Sequence, residues 1–401
     1  MDINFHYFAV KTLARKAGFN ENDAQVIAQY SQFVDDYNQY ENLWLSDVPV
    51  FARSLARKLP IGWFFYTVTT GFDSWDDMAR LVIPKYQREI TIPYHFIPTQ
   101  PLNVQRKTRD EWRTNPARMD TPSLMQSLML EAQNIYKTNP LKENLIRIGL
   151  LLHTFADTYA HQNFSGFHGW ENYCWLTRAV NNIDGSDITA SFSPGKYHKI
   201  YAIGHTEATH APDLSYLTMD LKLKLSEGDN YTFSYTRSNT QEFTFASQEI
   251  LNFLCDCLGT PHPSQDDWNT FSTRLAQGFL TTSEKVPELC SHWSNVFPEY
   301  QYYYDKKPLF GETTNQLLVS YNVGETANQV MGTRSDDFFH YNVIAMDIRN
   351  KVSGKTPLTQ VNNMMLSNDA VSMDDLVQVD DAVFQNEAQR FESILLASQK
   401  S

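Results

Sequence analysis

Apolar positions along this chain recur mostly at the spacing of helices and only briefly in alternation. Phe5 to Lys16 carries apolar residues at helical spacing and is stopped by Gly18, and Asn20 followed by Asp23 marks the capped start of a second helix reaching about Asp36. On that helix Ala24, Ala28, Ser31 and Asp35 fall near one face, which directs Asp35 toward whatever the small residues pack against and leaves Asp36 pointing elsewhere. Thr121 to Tyr136 has Met and Leu at helical spacing, and Pro140 opens a long helix to about Asn163. Further helices are predicted at about Ser247 to Cys257, Asp266 to Phe279, Ser335 to Lys351 and Asp380 to Ser398.

Alternation is clear in Asn230-Tyr-Thr-Phe-Ser-Tyr-Thr, and with Glu242-Phe-Thr-Phe it predicts a small hairpin. The aromatic, β-branched run Ile61-Gly-Trp-Phe-Phe-Tyr-Thr-Val-Thr-Thr reads as a short strand, a buried irregular segment or a lipid-touching surface, with burial expected because such runs usually face inward. Thr91-Ile-Pro-Tyr-His95-Phe-Ile-Pro places His95 between two prolines, on rigid, non-helical backbone. The expected fold is mainly α, a multi-helix, bundle-like domain over residues 1–352 with a small β-hairpin insertion, then an acidic loop and helical extension over 353–401.

Composition supports a packed interior, with 42% hydrophobic residues in 401. Lys plus Arg total 33 against 46 Asp plus Glu, and the resulting net charge of -13 disfavours nucleic acid unless a local basic patch overrides it. The one evident basic concentration, Arg106, Lys107, Arg109, Arg113 and Arg118, reads as a solvated loop or as an anion-attracting patch. Cys174, Cys255, Cys257 and Cys290 lack the spacing of a zinc knuckle or redox pair and are expected to be reduced core thiols. No stretch approaches the roughly 20 apolar residues of a membrane span, and Met1-Asp-Ile-Asn-Phe has neither the basic start nor the apolar run of a signal peptide. The expectation is a soluble protein, cytoplasmic or exported without a cleaved signal, with peripheral lipid contact left open.

Candidate chemistry changes this picture most in Leu150-Leu-Leu-His153-Thr-Phe-Ala-Asp157-Thr-Tyr-Ala-His161. Its three polar residues are spaced four apart and stack on one helix face, in surroundings apolar enough that an unpartnered Asp157 would carry a heavy desolvation penalty. Either a hydrogen-bonded histidine–aspartate pair neutralises it, or a divalent cation does; imidazole nitrogen and carboxylate oxygen are the ligands zinc accepts outside a thiolate site. Two ligands one turn apart can chelate one ion, and three can serve two. Further histidines weigh toward metal: His6 near the first helix start, His95, and Gly204-His205-Thr-Glu207-Ala-Thr-His210-Ala-Pro-Asp213, while six of the 11 histidines (153, 161, 168, 198, 205 and 210) crowd into 58 positions. His262, His292 and His340 are expected to be structural.

The stretch from Leu150 through His161 resembles the metal-binding helix of the zinc-dependent phospholipases C and fungal single-strand nucleases, all-helical proteins holding up to three zinc ions. The chain as a whole, over roughly residues 2 to 214, resembles more closely an uncharacterised bacterial family sharing Phe5-His6-Tyr, Ser31-Gln-Phe-Val-Asp35-Asp36, Gly204-His205 and Pro212-Asp213. The superfamily resemblance implies one to three Zn2+, ligand roles for His153, Asp157 and His161, and metal-assisted hydrolysis of a small phosphoester or phospholipid. His6, Asp35, His95, His205 and Asp213 complete the candidate ligand set, and Asp36 and Glu207 are candidate carboxylates for orienting the attacking water. Two departures stand out. Those enzymes ligate one zinc through the amine and carbonyl of an N-terminal Trp, where this chain has Met1-Asp2, and their later His followed four residues on by Glu is absent, since Thr209 stands four after His205. No His-Asp dipeptide, His-Glu-x-x-His, P-loop or Gly-x-Ser-x-Gly is present. The competing readings are a nuclease of the same superfamily and a non-catalytic helical protein with a structural metal site.

Overall fold

The computed structural model describes residues 1–37, 42–59, 62–71, 81–192, 202–226, 232–300, 302 and 336–355. A π-wound segment, Asn4–Ala9, runs into α1 (Val10–Ala17), which ends at Gly18 with φ 113°, a left-handed value glycine takes without a Cβ penalty. Helix α2 (Glu21–Asp36) starts where the sequence predicts, the Asn20 side chain accepting from the Asp23 amide. Strands β1 (Asn42–Trp44), β2 (Ala56–Leu59) and β3 (Gly62–Tyr66) form an antiparallel sheet ordered β1-β3-β2, an excursion between α2 and Thr70. A second π-helix, Gln87–His95, precedes α3 (Leu124–Thr138) and α4 (Lys142–Ala160).

Helix α4 is the axis of the molecule. Every residue from Asn144 to Ala160 except Arg147 is buried on it, and α2, α3, α5 (Asn239–Leu258) and α8 (Asp336–Ser353) pack around it. The crossing with α2 is close: a Cβ on Gly149 would come within 2.5 Å of the Ile27 carbonyl oxygen. Helices α6 (Gln265–Phe279) and α7 (Val286–Val296) pack against each other, and α6 also packs against α5. A second antiparallel sheet, β4 (Cys174–Asn181), β5 (Leu217–Lys224) and β6 (Thr232–Ser238) in that order, covers its own smaller apolar cluster around Phe164, Leu217 and Leu221.

The mainly helical expectation holds, and the differences are local. The predicted hairpin partner is wrong: β6 pairs with β5, which precedes it, and Glu242-Phe-Thr-Phe lies inside α5, where Phe243 is buried and Phe245 exposed, as helical spacing and not alternation requires. The run at 62–66 is a strand, with Phe64 and Phe65 buried and Trp63 exposed. His95 is not on irregular backbone: it ends a π-helix that tolerates Pro93, the Phe96 amide reaching back to Thr91 O at 2.8 Å. Three arginines of the basic stretch are engaged with carboxylates. Arg109 pairs with buried Glu171, Arg113 with Asp110, and Arg118 with Asp120. All four cysteines are buried and unpaired with one another, as expected. Residues 356–401, with the predicted helix from Asp380, and His198 fall outside the described residues. Among the described residues no helix is long and apolar enough to cross a membrane.

Candidate metal centre

Four elements bring their ligand-type side chains to one buried place beside α4. Helix α4 supplies His153 and Asp157 and, one residue past its end, His161; α2 supplies Asp35 from its last turn; the first π-helix supplies His6 and the second His95. Two short 3-10 turns near β5 bring His205 and Asp213. These eight residues form three groups that could hold a cation: His6, His153 and Asp157; Asp35, His95 and His153; and His161, His205 and Asp213. All eight candidate ligands read from the sequence are therefore brought together.

The protons on the rings follow from their partners, because a carbonyl can only accept. His95 Nε2 lies 2.7 Å from Thr70 O, His153 Nδ1 2.9 Å from Ser31 O, His161 Nδ1 2.7 Å from His95 O, and His205 Nδ1 2.7 Å from Thr209 O. In the neutral rings those nitrogens donate, so His95 Nδ1 and the Nε2 atoms of His153, His161 and His205 present lone pairs. Such a backbone contact is how proteins commonly fix the ring of a metal-ligating histidine. Local backbone serves it: Thr209 holds φ at 54°, uncommon for a β-branched residue, with its carbonyl on His205, and a Cβ on Gly204 would lie 2.2 Å from the Phe96 ring. His6 is the exception, since its buried Nδ1 has no hydrogen-bond partner among the described residues.

The separations between lone pairs are those of ligands. His95 Nδ1 lies 3.3 Å from His153 Nε2 and 3.2 Å from Asp157 Oδ2; His153 Nε2 is likewise 3.2 Å from Asp157 Oδ2. Asp35 Oδ1 lies 3.6 Å from His153 Nε2 and 3.8 Å from His95 Nδ1. A tetrahedral ion with bonds of about 2.1 Å separates its ligand atoms by about 3.4 Å. Elsewhere His6 Nε2 is 3.1 Å from Asp157 Oδ1, His161 Nε2 3.0 Å from Asp213 Oδ1, and His205 Nε2 3.3 Å from Asp213 Oδ2. The buried Met1 amine contacts Asp157 and lies 3.3 Å from Asp213, joining the first and third groups, a contribution the sequence reading did not assign.

Electrostatics sort these groups by sign. Burial alone would push the Asp157 carboxyl up, but His161, the amine, His153 and His6 hold it well below the usual carboxylate range, and Asp213 behaves alike through His205 and the amine. Burial pulls His6 well below its ordinary value and His205 down to about 4, keeping both rings neutral. Burial opposes ionisation of the Met1 amine too, yet Asp157, Asp213 and Asp35 raise it to about 11. His95 is raised, because contact with Asp157 and Asp35 outweighs burial. The Asp35 side chain keeps 34% exposure while those of His6 and His153 keep none, so the centre meets solvent on the Asp35 side.

Asp36 and Glu207 are not among the grouped residues. Asp36 follows Asp35 by 100° around α2, and the Gln32 amide approaches it at 3.4 Å. Glu207 is buried and accepts from the Cys174 amide at 2.9 Å, which anchors the start of β4. The water-orienting roles predicted for them find no support in this placement. Among the other histidines, His262 pairs with Asp256, His292 contacts the Gln277 and Gly278 carbonyls, and His340 stacks on Phe51, each away from the centre.

Nothing among curated proteins or solved structures matches the chain. One family model matches residues 1–381, and the chain therefore belongs to DUF6765, a family of unknown function.

Proposed function

We propose that this centre binds up to three divalent cations, zinc foremost, and that the protein is a phosphoester hydrolase of the phospholipase C-like kind. The observation that carries the reading is the group of ligand-type atoms from Asp35, His95 and His153, whose separations of 3.3, 3.6 and 3.8 Å are those of ligands on one ion. Two of these atoms are nitrogens whose rings donate their other N–H to backbone carbonyls, an arrangement that leaves a lone pair for a cation in the neutral rings. Clustered cations of this kind lower the pKa of a water and offset charge on a phosphoryl group. The chain's own residues orient and exclude: carbonyls of Ser31, Thr70, His95 and Thr209 fix the rings, Asp157 links two groups through its two oxygens, and buried α4 keeps water from one side. The partly exposed Asp35 and the absence of cysteine from the three groups favour an open, reactive site over a closed structural one.

Protein purified without a histidine tag is expected to carry zinc or a similar ion and to hydrolyse a chromogenic phosphodiester, with loss on chelation and in His153→Ala. Less than about half an equivalent of any transition metal in folded, unchelated protein overturns the metal reading. Full metal with no phosphoesterase activity supports the structural alternative instead.

A further inference from the structure

Arg237, near the end of β6, is buried and gives its donors to the backbone that carries two candidate ligands. Its Nη1 donates to the carbonyls of Ala160 at 2.6 Å and Tyr159 at 3.3 Å, and its Nη2 to that of Pro212 at 2.8 Å. Its Nε donates at 2.8 Å to Asn239 Oδ1, and the Asn239 amide donates to the carbonyls of Ala211 and Leu214, both at 2.8 Å. Ala160 ends α4 and precedes His161; Ala211, Pro212 and Leu214 flank Asp213. Among the described residues no carboxylate forms an ion pair with Arg237.

A full charge held in the interior on dipoles is a demanding choice for capping one helix. The last carbonyls of α4 lack partners within the helix and concentrate its negative end, so a cation is welcome there, but a smaller donor would satisfy them. What only a planar, forked cation does is hold two separate backbones at once, in fixed geometry. We infer that Arg237 is the positioning residue of the third cation group: by tying the residue before His161 to the residue before Asp213, it sets their 3.0 Å approach and the affinity of the cation held with His205. This inference rests on the cation-binding reading above.

The test uses the full chain stripped with chelator, titrated with Co2+ by visible absorption and with Zn2+ by calorimetry. His205→Ala is expected to delete one cation from the count. Arg237→Gln is expected to weaken that same cation by about 10- to 100-fold and leave the others unchanged, with Arg237→Lys recovering part of the loss. Weakening of every cation alike, or of none, overturns the inference. If Arg237→Gln does not fold, Asn239→Ala, which frees Ala211 and Leu214 and leaves the guanidinium, should show the same selective loss, and a uniform loss there overturns the inference equally. Wild-type protein that takes up no Co2+ or Zn2+ defeats the cation-binding reading itself, a result recognisable because wild type and variants then fail together.

Discussion

A single carboxylate, that of Asp157, lies within 3.6 Å of ring nitrogens of His6, His95, His153 and His161. Asparagine there keeps the volume and removes the charge. Asp157→Asn is expected to lose cations and, in the cation-loaded protein, to cost more stability than the about 1–3 kcal/mol of a lost hydrogen bond. Elemental analysis with denaturant unfolding, each with and without chelator, checks this; unchanged zinc in the mutant would remove Asp157 from the centre. The i, i+4 stripe of His153, Asp157 and His161 was legible because one helical period fixes its geometry. The carbonyls of Thr70 and Thr209 were not, because every residue carries a carbonyl and only the fold says where it is aimed.

The helices read well from sequence where caps and spacing agree, as at α1, α2 and α6. Strand β4 was hidden by the register shift between Leu176 and Arg178, which breaks its alternation. Strand β5 was different: Leu217, Met219, Leu221 and Leu223 alternate inward, and the period of two was there to be read. Two predictions belong to this scale. Gly149→Ala should lower the melting temperature and weaken cation binding, since its Cβ would press on the Ile27 carbonyl and push α2, with Asp35, away from α4; a rise in melting temperature would show that the roughly 1 kcal/mol helix-propensity gain prevails. Asp347 on α8 joins Arg147 on α4 at 2.7 Å and Lys351 at 2.9 Å. Burial pushes its carboxyl pKa up, but the two cations win and hold it below the usual carboxylate range. A depressed folded pKa contributes stability above the unfolded value and loses it as pH falls through the folded one. Asp347→Asn should therefore destabilise at neutral pH, by about 1–3 kcal/mol for the lost charge-assisted hydrogen bonds, and the gap to wild type should narrow as acid protonates the wild-type carboxylate in urea unfolding.

At the scale of the whole molecule, net charge and surface decide how a substrate is gathered. A polyanion needs several cations along its path, and the arginines at 109, 113 and 118 are engaged with Glu171, Asp110 and Asp120 on a chain of net charge -13. The excursion between Asp36 and Thr70 leaves Trp44 and Trp63 exposed, apolar material for a lipid approach. Short-chain phosphatidylcholine is expected to be hydrolysed faster than single-stranded DNA in a side-by-side assay with zinc at low salt. Faster turnover of DNA, lost in His153→Ala, would reverse that preference and favour the nuclease reading. The buried thiols add a practical consequence. Burial, with Glu207 alongside, raises the Cys174 thiol well above its ordinary pKa, and that residue's own amide is held by Glu207, two positions from His205. A maleimide mixed with the native protein should find Cys174 silent, and the rate at which that thiol becomes labelled after chelator is added turns it into an internal clock for the loosening of the third cation group.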